Sequence, residues 1–155
     1  MSTLAVTLDP EVARLAPTLS ALRRAIHQYP EPGFAQFQTV ALVAERLREL
    51  GLEVRTEVAK TGVVGLLRGG RPGRTLLLRA DMDCLSVEEA TGAPYALQRP
   101  GYMHACGHDG HVAMLLGVAE VLTARRGDFD EAALPAGVQV LVRATEAYLG
   151  RESAG

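Results

Sequence analysis

Between Asp9 and Gln28 the apolar positions Val12, Leu15, Ala16, Leu19, Leu22 and Ile26 recur every three to four residues, the spacing that lines one face of a helix. Asp9 as N-cap and Pro10 at the first helical position suit its start, because a carboxylate accepts an unpaired amide hydrogen and proline has none to leave unpaired. The run Tyr29-Pro-Glu-Pro-Gly33 stops it. A second helix is expected from about Gln36 to Leu50, with Val40, Val43, Ala44 and Leu47 inward and Gly51 as its C-terminal stop. The period then shortens to two. Leu52-Glu-Val-Arg-Thr-Glu-Val58 alternates apolar with polar, as a strand with one solvated face does. Gly62-Val-Val-Gly-Leu-Leu67 and Arg74-Thr-Leu-Leu-Leu-Arg79 read as more buried strands, joined by the turn-forming Gly69-Gly-Arg-Pro-Gly73. The last of these would deliver Ala80-Asp-Met-Asp83 to the end of a core strand, where open α/β sheets tend to bind ligands.

From Cys84 to Ala105 no period dominates, and Gly92, Pro94, Pro100 and Gly101 mark a long loop, a kind of segment that is often functional in a compact domain. Beyond it Asp109 is expected to cap a helix running to about Arg125, with Met114, Leu115, Val118, Ala119 and Leu122 inward, and Val138-Gln-Val-Leu-Val142 a final strand. Alternating helices and strands predict an α/β layered domain, helices packed on a mixed sheet. No internal repeat, low-complexity tract or interdomain linker interrupts the order.

Composition narrows the function classes. At 155 residues, 48% of them hydrophobic, the chain is long enough to bury one core. A formal charge of −2 with scattered arginines offers no block of cations to neutralise phosphates, so no nucleic-acid partner is expected. No apolar run approaches a bilayer span, and the opening MSTLAVTLDPEVARL lacks the parts of a secretion signal. The reading is cytoplasmic, without a membrane partner, and with Cys84 and Cys106 reduced.

Candidate chemistry gathers in His104-Ala-Cys-Gly-His-Asp-Gly-His111, which holds three of the four histidines and one of the two cysteines. Cys106 and His108 lie two apart. In an extended segment such residues project to the same side, so they could share one metal ion. Thiolate with imidazole suits zinc, and imidazole with carboxylates also suits manganese or other first-row ions. Gly107 and Gly110 favour a sharp loop over a continuous helix through His104 and His108. Against this, Cys-x-His is too short to be diagnostic, and a buried cysteine among ordinary loop histidines carries about half the weight on spacing alone. Asp81 and Asp83 share a face by the same argument, as a ligand or an orienting acceptor or simply as turn formers.

Five segments together carry a family resemblance: Arg23-Arg-Ala-Ile-His-Gln-Tyr-Pro-Glu31, Thr61-Gly-Val-Val64, Leu78-Arg-Ala-Asp-Met-Asp83, Glu88-Glu-Ala-Thr-Gly-Ala-Pro-Tyr95 and Met103-His-Ala-Cys-Gly-His-Asp-Gly-His111. In this order they resemble the N-terminal portion of the M20 peptidase family, in the amidohydrolase branch that includes hippurate hydrolases, N-acyl-amino-acid deacylases and auxin-conjugate hydrolases. The resemblance implies a partial, zinc-peptidase-like catalytic domain over residues 1–155, without the family's lid or dimerisation domain, and leaves a homo-oligomer open. It implies two divalent ions per site (Mn, Zn or Co) and a small N-acyl amino acid or similar conjugate as substrate. Cys106 and His108 would be metal ligands and Asp83 the residue that holds the site in order. Asp81 would lie near without a ligand role. His27 would have a structural, pocket-lining or catalytic place, Cys84 would be a bystander, and Glu88 and Glu89 a solvated or turn-stabilising pair.

The implied chemistry is metal-assisted amide hydrolysis: cations acidify a water, a carboxylate takes its proton, and the metals stabilise the tetrahedral oxyanion. The family draws the base and a further ligand from a Glu-Glu pair after the strand that Pro135–Val142 would form. Here Glu146 falls at the base position, but Ala147 stands at the ligand position, within Arg143-Ala-Thr-Glu-Ala where the family has Gln-Pro-Ala-Glu-Glu. Two readings follow: a metal-dependent amidohydrolase, or a catalytically inactive, truncated or degenerate remnant that binds metal weakly.

Overall fold

The computed structural model describes residues 9–72, 75–96, 99–128, 130–131 and 134–137. Helix α1 (Pro10–His27) starts as its sequence predicts: the Asp9 carboxylate accepts the Glu11 amide at 2.9 Å and Pro10 opens the first turn. Its burial rises along its length. Val12 and Ala16 are exposed, Leu15, Leu19 and Leu22 half-buried, and Ile26 and His27 buried.

Helix α2 (Phe37–Glu49) buries Thr39, Val43, Ala44 and Leu47, and the chain turns out of it at Gly51, whose φ of 78° is costly for other residues. Its N-cap residue Gln36 makes no capping side-chain bond. Glu31 does so from outside the helix. Its buried carboxylate accepts the Gln38 amide at 3.0 Å, the Thr39 amide at 2.8 Å and the Thr39 hydroxyl at 2.9 Å, satisfying first-turn donors that the helix cannot pair itself.

Strands β1 (Glu53–Val58) and β2 (Gly62–Leu67) form an antiparallel hairpin, and β5 (Leu134–Gly137) adds antiparallel to the other edge of β2, giving the order β1-β2-β5. Two-residue strands β3 (Arg71–Pro72) and β4 (Asp130–Glu131) pair in parallel, so part of the expected Gly69–Gly73 turn is a short strand. Of the expected strand over Arg74–Arg79, the described residues show one β-bridge, at Leu78, which is half-buried against the core. Residues 75–77 are irregular, and Leu76 and Leu77 are 55% and 47% exposed. An apolar run becomes a core strand only with ladder partners beside it and layers on its faces, and among the described residues β2 has that place. The expected strand Val138–Val142 lies outside the described residues.

Helix α3 (His108–Ala124) departs from its sequence reading at both its cap and its face. The N-cap is Gly107, in the left-handed region, and Asp109 sits inside the first turn with its side chain buried. Val112, Ala113, Leu116, Gly117 and Ala119 are buried, whereas the expected inward residues Met114 and Val118 are 57% and 40% exposed. Leu115 and Leu122 are half-buried against the core, as expected. A helix apolar on nearly every side gives its own sequence little means of choosing a face.

The core joins Ile26 of α1, Val43, Ala44 and Leu47 of α2, Val63 and Leu67 of β2, and Val112, Leu116 and Ala119 of α3, with Ala80 and Met82 from the segment between. Helices α1 and α3 run antiparallel. At one end Arg125 pairs with Glu11 and Asp9, and at the other Asp109 pairs with Arg23 and His27. Between these anchors Gly117 lies against Leu19, and a Cβ there would stand 2.9 Å from the Leu19 Cδ1.

Candidate metal centre

The chain approaches α3 through a turn. The Gly107 amide donates to the His104 carbonyl at 3.1 Å, and Gly107 adopts φ 81° before the helix begins at His108. The extended segment that would place Cys106 and His108 on one side by i, i+2 alternation is therefore replaced by a turn, which sets both donors at the start of α3, as the flanking glycines suggested. Cys106 is exposed and unpaired.

The three histidines of this segment diverge. The His108 Nδ1 lies 2.8 Å from the Asp83 carbonyl oxygen and 2.9 Å from its Oδ1. A carbonyl oxygen only accepts, so Nδ1 carries the hydrogen, and in the neutral ring Nε2 keeps its lone pair. His111, one turn on, is exposed with its ring 5.9 Å from that of His108. His104 is buried, its ring 6.2 Å from that of His27, and burial lowers its basicity below that of a free histidine.

Asp83 is carried by a segment that is itself held in place. The next residue, Cys84, donates its amide to the Glu31 carbonyl at 2.9 Å, and its buried thiol has its pKa raised by desolvation. Asp81, two residues earlier, is paired with Arg79. The loop that follows is closed at its neck by reciprocal bonds between Leu85 and Met103, at 2.9 and 3.0 Å.

Beneath α3 lies a buried polar cluster that the sequence does not announce. The Asp109 Oδ2 accepts from Arg23 Nε at 2.8 Å and lies 2.8 Å from His27 Nδ1. The opposite ring nitrogen of His27 lies 3.1 Å from the Glu89 Oε1, which also accepts the Thr91 hydroxyl. Burial opposes the charge on Asp109, but the hydrogen bonds from His27 and Arg23 outweigh it and hold the carboxyl below the usual carboxylate range. Arg23 also reaches the Tyr95 hydroxyl at 3.3 Å. The two glutamates of the Glu88-Glu89 pair thus separate in role: Glu88 accepts the Gly101 amide at 2.9 Å, as a turn-stabilising residue would, while the Glu89 side chain is buried against His27 rather than solvated.

Among the described residues no group of three or more His, Cys, Asp or Glu side chains is arranged to hold a metal ion. The donor chemistry at the start of α3 fits a divalent ion as far as it goes, with one thiol and one imidazole nitrogen available. Glu146 lies outside the described residues. Arg23, Asp109, Glu89 and Tyr95 were not expected to meet, although the four-residue separation of Arg23 and His27 does place both on one side of α1.

Comparison with known proteins places the segment that carries these residues within a known family pattern. The Peptidase family M20/M25/M40 matches residues 77–131, the stretch that carries Asp83, Cys106 and His108. Over this stretch and its flanks the chain carries the pattern of the N-terminal region of M20 proteins. It is 50% identical over 116 residues to thermostable carboxypeptidase 1 of Saccharolobus solfataricus, covering 74% of this chain and 30% of that protein. It is 44% identical over 120 residues to the hippurate hydrolase of Campylobacter jejuni, covering 77% of this chain and 31% of that protein. The chain therefore spans under a third of these M20 relatives. Its fold superposes on the Bacillus subtilis YXEP protein, described as a dinuclear metal-binding peptidase of the M20 family, with a TM-score of 0.78 and 30% identity, covering 92% of this chain and 41% of that one. The layered α/β fold inferred from the sequence is thus that of part of an M20 peptidase.

Proposed function

We propose that this chain carries the first two donors of an M20-type centre, the Cys106 thiolate and the His108 Nε2, for divalent ions of the Mn, Zn or Co class. The supporting observation is the bond from His108 Nδ1 to Asp83. A second-sphere acceptor of this kind fixes the tautomer and ring orientation of a metal-binding histidine. Asp83 is then the residue that orients the site.

A divalent ion held there supplies Lewis acidity toward a carbonyl and acidifies water at neutral pH. We assign the reaction as hydrolysis of the amide bond in a small N-acyl amino acid, with Glu146 as the proton acceptor. The amidohydrolase and carboxypeptidase names of the relatives support that class. The chain is assigned as part of the catalytic domain, in a cytoplasmic setting. Two unpaired thiols fit that setting, and no described helix is long and apolar enough to cross a membrane.

A second reading, an inactive metal-binding remnant, is favoured by Ala147 at the position of a family ligand and by the lack of a third donor among the described residues, since catalytic zinc sites usually use three protein ligands. One assay separates them. The 155-residue chain is incubated with manganese, cobalt or zinc and hippurate beside Cys106→Ala and His108→Ala. Metal-dependent turnover lost in both variants establishes the hydrolase and ends the remnant reading. Weak metal uptake without turnover supports the remnant.

A further inference from the structure

We infer that Asp109, gripped by Arg23 and His27, is a positioning residue: it sets the rotation of the first turn of α3 and so the direction in which His108 is presented. This rests on the metal reading above and adds to it the device that aims the donor.

The argument begins with the weakness of the helix start. Gly107 has no side chain with which to cap α3, so the turn that carries His108 has no ordinary side-chain anchor at its N-cap. Asp109 supplies the substitute. Its negative charge lies in the first turn, where the helix dipole favours it. The same carboxylate leaves the helix and, through Oδ2 alone, holds Arg23 Nε and His27 Nδ1, each at 2.8 Å. Arg23 and His27 are four apart on α1, so they form one two-pronged grip from one face of that helix.

Consecutive residues on a helix are rotated by about 100° about its axis. With Asp109 1% exposed and fastened to α1, His108 projects about 100° around the axis from it, where Asp83 receives its Nδ1. The dipeptide is thereby held from two directions by two different segments. The grip is itself braced, because the far nitrogen of His27 meets Glu89 at 3.1 Å and the Arg23 guanidinium meets Tyr95. Neither Arg23 nor His27 approaches the donors directly. They act through Asp109, and Asp109 acts through the backbone of the turn.

The test uses the 155-residue chain and Co2+ alone. Two readouts are taken: the thiolate-to-cobalt charge-transfer absorption, and the 15N-detected tautomer of the His108 ring in the metal-free protein. The variants are Asp109→Asn, which keeps shape and removes charge, and Arg23→Gln, whose partly exposed side chain makes loss of fold less of a concern. Arg23→Lys serves as the conservative rescue, and Cys106→Ser as the donor control. For fold-competent variants, as judged by circular dichroism, we expect the cobalt dissociation constant to rise by about 10- to 100-fold in Asp109→Asn, the range seen when second-sphere partners are lost. A smaller rise is expected in Arg23→Gln, with partial recovery in Arg23→Lys. The His108 ring should lose its single Nδ1–H tautomer in Asp109→Asn. An unchanged tautomer in a folded Asp109→Asn or Arg23→Gln chain overturns the positioning role. If the wild-type chain shows no charge-transfer band, it is the metal reading that fails, and the tautomer measurement still decides the inference.

Discussion

Replacing Glu31 by alanine should remove the cap of α2 from a residue that is not in the helix. The side chain is 5% exposed and accepts three hydrogen bonds, at 2.8 to 3.0 Å, from two backbone amides and one hydroxyl. Loss of an ordinary N-cap costs about 0.5–2 kcal/mol, whereas each hydrogen bond to a charged group contributes about 1.5–3 kcal/mol and a buried donor left unpaired costs a similar amount. The three bonds share one carboxylate and cannot be summed, so the expected loss lies above a single cap and below the total, at about 3 kcal/mol. Glu31→Gln keeps one accepting oxygen but turns an NH2 group toward donors, and should lose about half as much. Thr39→Val isolates the hydroxyl at about 1 kcal/mol. Urea unfolding followed by circular dichroism reads this directly. With a slope of about 2 kcal/mol per molar, the alanine variant should unfold about 1.5 M earlier than wild type. A loss under about 0.5 kcal/mol, the range of an ordinary surface substitution, would refute the remote cap.

Brief alkylation should label the exposed Cys106 and spare the buried Cys84 until the chain unfolds, as peptide mass analysis can show. Because burial raises the Cys84 pKa from its usual 9.0, the unfolded chain loses that proton first; this contribution to stability is present below pH 9 and declines as pH rises through the folded-state value, and Cys84→Ala should remove that slope. Gly117→Ala should be close to neutral in a thermal melt, since an overpacking cost of about 1 kcal/mol against the movable end of Leu19 is offset by a gain of about 1 kcal/mol in helix propensity; Gly117→Leu should be destabilising by more than about 2 kcal/mol. Lys60, at φ 85° between β1 and β2, occupies a conformation that costs an L-residue about 1–2 kcal/mol, so Lys60→Gly should raise the urea midpoint despite losing the contact with the Phe34 ring.

Local signals in the sequence were sufficient where the cause is local. Asp9 and Pro10 start α1, Gly51 stops α2, and alternation through residues 52–58 gives β1, because each depends on neighbours within a turn or two. Cys106 and His108 could be singled out as candidate donors for the same reason, as an uncommon residue set within one segment. What escaped reading needed a distant partner. Leu76 and Leu77 look like core strand, yet strand formation depends on what lies alongside. Met114 and Val118 look inward-facing, yet α3 is apolar on several sides and α1 selects which side is covered. Asp109 resembles an N-cap by position, but Arg23 and His27, more than eighty residues earlier, draw it into the interior. The segment Arg23–Glu31 was noticed as a motif before its purpose was evident: Arg23 and His27 hold the start of α3, and its last residue, Glu31, holds the start of α2.

The left-handed Gly107 has a consequence for which changes of length the chain can tolerate. One added or deleted residue between Cys106 and Asp109 would rotate everything after it by about 100°, moving the buried Asp109 side chain off α1 and His108 off Asp83. The register of that short turn should therefore be fixed across functional variants. Length changes are better accommodated within the loop that the Leu85–Met103 neck closes, since those reciprocal bonds join its two ends.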